Sequence, residues 1–137
     1  MTRHLVSDVP LGVFLSGGVD SGAVVAIGSR ARARAGATPL TTLTVTFEER
    51  EFDEGNGTRE VARAFGTNHR EIRVTRREFV EALPAFFESM DQPTNDGINT
   101  FFVARAAREA GLTVVLSGLG GDELFWGYGH YSWLARR

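Results

Sequence analysis

Apolar positions along this chain fall into short runs, split by glycine and polar turns, whose spacing switches between strand and helix periods. Gly12 to Leu15 is a continuous apolar run of strand length that leads into Ser16-Gly17-Gly18. From Ser21 an alanine- and valine-rich helical pattern runs to about Ala35, with Ala23, Val24, Ala26 and Ile27 as its expected buried side. Gly36 to Pro39 ends it. Thr41 to Phe47 is rich in β-branched residues and reads as a second strand. The acidic piece Glu48 to Gly57 reads as a mobile glycine-containing loop. A short amphipathic helix over Thr58 to Phe65, capped by Gly66, then precedes a third, more exposed strand from His69 to Val74. Arg76 to Ser89 has helical spacing, with Phe79, Val80, Leu83, Phe86 and Phe87 as its apolar stripe and Pro84 expected to kink or divide it. The turn-rich Asp91 to Gly97 follows, then a helix from Ile98 to Ala110 ended by Gly111, then a buried-type strand from Leu112 to Leu116. Met1 to Pro10 has little periodicity and leads in.

Strands separated by helices imply an α/β fold, a parallel sheet with helices on both faces. Ligands in such sheets sit beyond the carboxyl ends of the strands. Two glycine-rich loops leave such ends. The first runs through Ser16, Gly17, Gly18 and Asp20 to Ser21. Its glycines allow close backbone approach, and the helix N-terminus that follows directs amides and about half a positive charge at one spot. Ser16 and Ser21 offer hydroxyls to phosphate oxygens. A carboxylate at Asp20 would repel phosphate unless a cation lay between, and Mg²⁺ is the simplest candidate.

Composition narrows the chemistry. The 137 residues suit one domain, and 42% hydrophobic with 23% charged residues are ordinary for a soluble protein. The net charge of −2 argues against a general nucleic-acid surface. The absence of cysteine excludes disulfides and a cysteine nucleophile within this chain, and every basic residue is arginine. Without lysine the first loop cannot be a Walker A loop. No apolar run approaches 18 residues, so no membrane span is expected and a cytoplasmic location is the expectation.

The second loop, Ser117-Gly118-Leu119-Gly120-Gly121-Asp122-Glu123, again combines glycines with acidic groups. Were the loops adjacent, Asp20 and Asp122 could share a Mg²⁺ bridging phosphate oxygens. Alternatively, Asp122 could cap a helix beginning near Leu124, and Glu123 could belong to that helix's first turn. Asp20, Asp122 and Glu123 are the candidate catalytic residues.

The sequence S-G-G-V-D-S at positions 16–21 is similar to the PP-loop of the ATP pyrophosphatases, with Val19 where leucine is usual. More widely, V-S-D-V-P-L-G-V-F-L-S-G-G-V-D-S and the later S-G-L-G-G-D-E-L-F-W-G-Y resemble the two signatures of the synthetase domain of glutamine-dependent asparagine synthetases. Phe52-Asp53-Glu54, Val61 to His69 and Met90 to Pro93 fit between them, so the likeness covers nearly the whole chain in order. It implies a PP-loop, Rossmann-like adenine nucleotide alpha hydrolase fold. It also implies an amide-forming ligase that adenylates a carboxylate with ATP and lets ammonia displace AMP. By that resemblance, backbone at Phe14 and Val45, with Ser117 and Gly118, would hold adenosine, Ser16, Gly17, Gly18 and Ser21 would hold pyrophosphate, and Leu15 belongs to the same ATP-binding set. Asp20 and Asp122 would hold Mg²⁺.

Three departures qualify what the resemblance implies. Leu119 stands where the family usually carries Glu or Asp, which leaves the acceptor open between aspartate and another small-molecule carboxylate, as in β-lactam synthetase-like or biosynthetic-cluster paralogues. Trp126 replaces a usual glycine. The glutaminase domain that supplies ammonia, the downstream helices and their catalytic lysine have no counterpart in these 137 residues. The chain therefore reads as a partial synthetase domain, inactive alone as an asparagine synthetase, with self-association into a homo-oligomer expected through uncovered apolar surface. The competing reading is a nucleotide-binding module without catalysis.

Overall fold

The computed structural model describes residues 1–48, 55–94, 96–125 and 127–128. Phe52-Asp53-Glu54, the centre of the acidic loop and Trp126 lie outside the described residues. Four strands, β1 (Leu11–Phe14), β2 (Thr41–Phe47), β3 (Asn68–Val74) and β4 (Val114–Leu116), form one sheet in the order β3-β2-β1-β4. Every pairing is parallel. The connecting helices are α1 (Val19–Arg34), α2 (Gly55–Ala64), α3 (Arg76–Ser89), α4 (Gly97–Glu109) and the short α5 (Gly121–Phe125).

The central strands β1 and β2 are buried on both faces because they alternate what they offer. On β1 and just past it, Val13 and Leu15 pack with Val25 of α1 and Ala62 of α2. Phe14 faces the other way and joins Leu43 of β2 against Ala106 and Ala107 of α4. Thr42, Thr44 and Thr46 of β2 are buried and alternate with Leu43, Val45 and Phe47. Their hydroxyls need partners there. Thr44 donates to the Leu15 carbonyl at 2.6 Å, and Thr42 lies 2.9 Å from Thr67 Oγ1 and 3.0 Å from His69 Nδ1.

The connection order creates the site's location. From β1 the chain steps outward to β2 and β3, then crosses back to place β4 on the other side of β1. The order reverses between β1 and β4, where a crevice opens at the carboxyl ends of the strands. Both glycine-rich loops leave those two strands.

Several local expectations are corrected. Helix α1 buries Ser21, Val25 and Gly28, while Ile27 is half exposed and Ala23 exposed. Small residues set that face, since a side-chain carbon on Gly28 would stand 3.1 Å from Leu40 Cδ2. Gly55 and Gly57 belong to α2 rather than to a loop. Helix α3 runs undivided through Pro84. Its lost amide falls opposite the carbonyl of Val80, on an exposed side where water can serve that group. Phe79 and Phe86 turn inward, but Val80 and Phe87 are exposed. Phe79 stacks on Phe102 with centroids 5.2 Å apart, and Phe47 meets both rings edge-on. Strand β4 starts two residues late: the Leu112 amide still closes the turn after α4 on the Ala107 carbonyl, and the ladder opens with the Val114 amide on the Pro10 carbonyl; among the described residues it is a partly exposed edge rather than a buried strand. Helix α5 begins at Gly121, so Asp122 and Glu123 both lie in its first turn.

Candidate functional site

Leu15 fixes the first loop's departure. Its amide extends the ladder to the Leu43 carbonyl at 2.9 Å, and its own carbonyl takes the Thr44 hydroxyl. Ser21 then ties the loop into shape. Its buried Oγ accepts the Ser16 amide at 3.1 Å and lies 2.9 Å from Ser16 Oγ. The same oxygen lies 3.0 Å from the Ser16 carbonyl and 3.1 Å from that of Gly18, one of which receives its proton. The Ser21 hydroxyl thus works inside the loop, and Ser16 is the exposed hydroxyl. Gly18 is the N-cap of α1, and the helical ladder begins with the Gly22 amide on the Gly18 carbonyl. The amides of Val19, Asp20 and Ser21 precede that first bond and lie at the positive end of a 16-residue helix.

The second loop lies directly against this helix end. A side-chain carbon on Gly118 would stand 2.7 Å from the Ser21 amide nitrogen and 3.0 Å from the Asp20 carbonyl carbon. One on Gly121 would collide with the Asp20 carboxylate, and one on Gly127 with the Asp122 carboxylate. Gly118 meets backbone across the loops and so needs glycine, Gly121 meets only the far end of the Asp20 side chain, and the contact of Gly127 with Asp122 lies within the second segment. Gly120 adds a φ of 94°, a left-handed conformation that glycine adopts freely. The Leu119 amide bonds Ser117 Oγ at 3.1 Å, which turns the loop out of β4. Helix α2 approaches from a third side: a side-chain carbon on Gly57 would lie 3.9 Å from Gly17 Cα.

A cavity of about 1280 Å³ opens over this junction. Phe14, Leu15, Ser16, Gly18, Asp20, Ser21, Val45, Ser117, Gly118 and Asp122 all line it, so the structure gathers ten of the sequence-derived positions into one space. Gly17 and Glu123 are not on its wall. Glu123 is exposed and receives the Tyr128 hydroxyl at 2.6 Å, a bond that holds its carboxyl below the usual glutamate range.

The cavity also extends over β2 to residues that the sequence did not single out: Thr44, Thr75, Arg76, Asp96 and Asn99. Thr75 and Asp96 are the N-cap residues of α3 and α4, and their place just before each helix was the available signal. Thr75 caps α3 in a reciprocal box with Glu78, whereas the Asp96 side chain makes no cap bond. Among the described residues the Arg76 guanidinium has no ion pair.

The donor set can be tested against Mg²⁺. That ion takes one or two carboxylates and fills its remaining positions with phosphate oxygens and water. Asp20 and Asp122 on one cavity wall meet that requirement. Among the described residues no group of three or more His, Cys, Asp or Glu side chains forms a protein cage. The set fits an ion arriving with a nucleotide. Among the described residues no helix is long and apolar enough to cross a membrane.

Comparison with known proteins bears on the fold and the family. The NH3-dependent NAD synthetase of Campylobacter jejuni superposes with a TM-score of 0.57 at 18% identity, covering 93% of this chain and 56% of that one. The shared element is the fold, a parallel sheet flanked by helices. In sequence, the chain is 42% identical to the putative glutamine-hydrolyzing asparagine synthetase of Mycobacterium bovis, over 96% of its own length and 20% of that protein. It is 38% identical to asparagine synthetase 1 of Bacillus subtilis, over 93% of its length and 20% of that protein. The chain thus spans about a fifth of the length of these relatives. The model of the family described as asparagine synthase matches residues 1–137. With both signature loops meeting at one switch point and that match running from end to end, the chain belongs to the asparagine synthase family.

Proposed function

We propose that this chain is the nucleotide-binding part of an ATP-dependent, amide-forming ligase that adenylates a small-molecule carboxylate. The observation that carries the reading is the contact of Gly118 and Gly121 with Asp20 and Ser21 at the N-terminus of α1. It joins a set of helix-end amides to two carboxylates in one cavity. Family membership supports the same reading.

Bound ATP with Mg²⁺ supplies an electrophilic α-phosphorus and a pyrophosphate leaving group. The chain's own part is to position and to balance charge. The helix-end amides of Val19 and Asp20, with the Ser16 hydroxyl, stabilise negative charge on the departing phosphates. Asp20 and Asp122 would hold Mg²⁺, which would supply neutralising charge to the departing phosphates. Phe14 and Val45, on the apolar wall, take the adenosine. A carboxylate oxygen of the acceptor bonds to the α-phosphorus as the bond to pyrophosphate breaks. Ammonia then bonds to the acyl carbon, the bond to AMP breaks, and a proton leaves the nitrogen. The ammonia source in this reading is a glutaminase domain of the parent protein, and the setting is cytoplasmic.

Calorimetric titration of the chain with ATP, with and without Mg²⁺, tests the binding half of the reading. Pyrophosphate release by the full-length parent on addition of a carboxylate tests the ligase half. Binding to the folded chain with no carboxylate-dependent pyrophosphate release from the parent would leave a nucleotide-binding module without catalysis.

A further inference from the structure

Ser16, Gly18, Asp20 and Ser21 of the first loop line the cavity, while Gly17 between them does not. Gly17 meets α2 instead. A side-chain carbon on Gly57 would lie 3.9 Å from its Cα, an ordinary van der Waals distance. Glycine has the freest backbone of any residue, so what stands beside Gly17 bears on how well the loop keeps one shape.

The part of α2 that reaches Gly17 is the part its sequence supports least. The helix opens Gly55-Asn56-Gly57, three residues of low helix propensity with no apolar side chain to anchor them. Its inward anchors come later: Thr58 is fully buried, and Ala62 packs with Val13 and Leu15. On the outer side Arg59 supplies a tie. Its Nε and Nη2 donate to the two carboxylate oxygens of Glu71 on β3 at 2.8 and 2.9 Å, and its Nη1 donates to Asn56 Oδ1 at 3.0 Å. One guanidinium thus joins the helix's first turn to a strand. The pair is partly exposed, at 41% for Arg59 and 28% for Glu71, and an ordinary surface ion pair contributes little. A two-bond fork differs, because it fixes orientation as well as distance. The same bonding holds the Glu71 carboxyl below the usual glutamate range.

We infer that Arg59 is a positioning residue for the nucleotide's phosphates: through Glu71 and Asn56 it holds the first turn of α2 against Gly17, and so keeps the first loop in its phosphate-receiving shape. The inference rests on the ATP-binding reading above and adds to it a residue that lies outside the cavity wall. A loop already held in its bound shape loses less freedom when phosphates arrive. The nucleoside end does not depend on this turn. Phe14 and Val45, which take the adenosine in that reading, pack on the other face of the sheet with Leu43, Ala106 and Ala107. Loss of the brace therefore acts on phosphate binding and spares the adenosine wall.

The test titrates the chain with ATP and with pyrophosphate, each with Mg²⁺, by calorimetry, and with adenosine by NMR, below the unfolding midpoint of every variant. Arg59→Ala and Glu71→Ala are each expected to weaken ATP and pyrophosphate binding about fivefold, and the double variant no further, since both remove one brace. Adenosine binding should be unchanged. Glu71→Gln keeps the shape of the side chain and serves if Arg59→Ala does not fold; it should shift pyrophosphate affinity in the same direction by about twofold or more. Unchanged pyrophosphate affinity in the folded variants would overturn the inference while leaving the ATP-binding reading in place. So would an equal loss for adenosine, which would mark a general loosening of the fold. A folded wild type that binds neither ATP nor pyrophosphate would count against the ATP-binding reading itself, and the role of Arg59 would fall with it.

Discussion

Gly118 and Ser21 are in backbone contact: a methyl group on the glycine would fall 2.7 Å from the serine's amide nitrogen. Ser21 belongs to the first turn of α1, and Gly118 stands two residues past the end of β4, so both are held by regular structure close by. The relationship makes the two loops one structural unit.

Gly118→Ala and Gly121→Ala are therefore expected to differ. The first presses on backbone and should separate the loops, costing about 1–3 kcal/mol by overpacking and most of the ATP affinity. The second presses on the end of the Asp20 side chain, which can swing away. It should leave stability nearly intact and weaken the Mg²⁺ dependence of ATP binding. Thermal unfolding beside calorimetric titration separates the two; equal loss of stability would contradict the contact assignment.

Ser21→Ala tests whether that hydroxyl is a loop brace. It strands the Ser16 amide, which now donates to Ser21 Oγ at 3.1 Å. The expected cost is about 1–3 kcal/mol in denaturant unfolding. Ser16→Ala, at an exposed position, should cost less stability and affect binding more.

His69 gives a pH dependence with a definite sign. Burial lowers its pKa, Arg59 adds to the lowering, and Glu71 opposes it. Its Nε2 is buried without a hydrogen-bond partner among the described residues, and Nδ1 faces the Thr42 hydroxyl. In the unfolded chain the ring takes a proton near pH 6.5, as an ordinary histidine does, and in the folded chain only at lower pH. The His69 contribution is complete above about pH 6.5 and declines as pH falls toward the folded-state value. Unfolding midpoints measured from pH 8 to 5 should fall more steeply for the wild type than for His69→Gln.

Thr75→Ala removes the α3 cap. The Thr75 hydroxyl accepts the Glu78 amide at 3.2 Å, and Glu78 returns a bond to the Thr75 amide at 2.8 Å. A loss of about 1 kcal/mol is expected, measured by urea unfolding. An unchanged midpoint would mean that the helix start is held by its packing alone.

The parallel sheet, both loops and most element positions were readable because local pattern and tertiary placement agree there. Thr41–Phe47 alternates as it packs, and Ser16-Gly17-Gly18 has few other uses between a strand and a helix. The misreadings occur where a neighbour decides. The inward face of α1 joins Ser21 and Gly28, which carry no hydrophobic signal, to Val25, because Leu40 and the first loop approach closely. Pro84 is tolerated on an exposed side, and β4 is partly exposed because it ends the sheet's order. Nothing local marks Arg76 or Asn99 as cavity residues; they reach the wall only through the β3-β2-β1 order.

The most direct measurement is the calorimetric titration of this chain with ATP, carried out with Mg²⁺ and with EDTA, for the wild type and for Asp20→Ala. The loop-junction site predicts saturable binding that requires Mg²⁺ and is lost in Asp20→Ala while the variant's fold is retained. A folded wild type that binds no ATP, or binds it equally well without Mg²⁺ and without Asp20, would contradict the account.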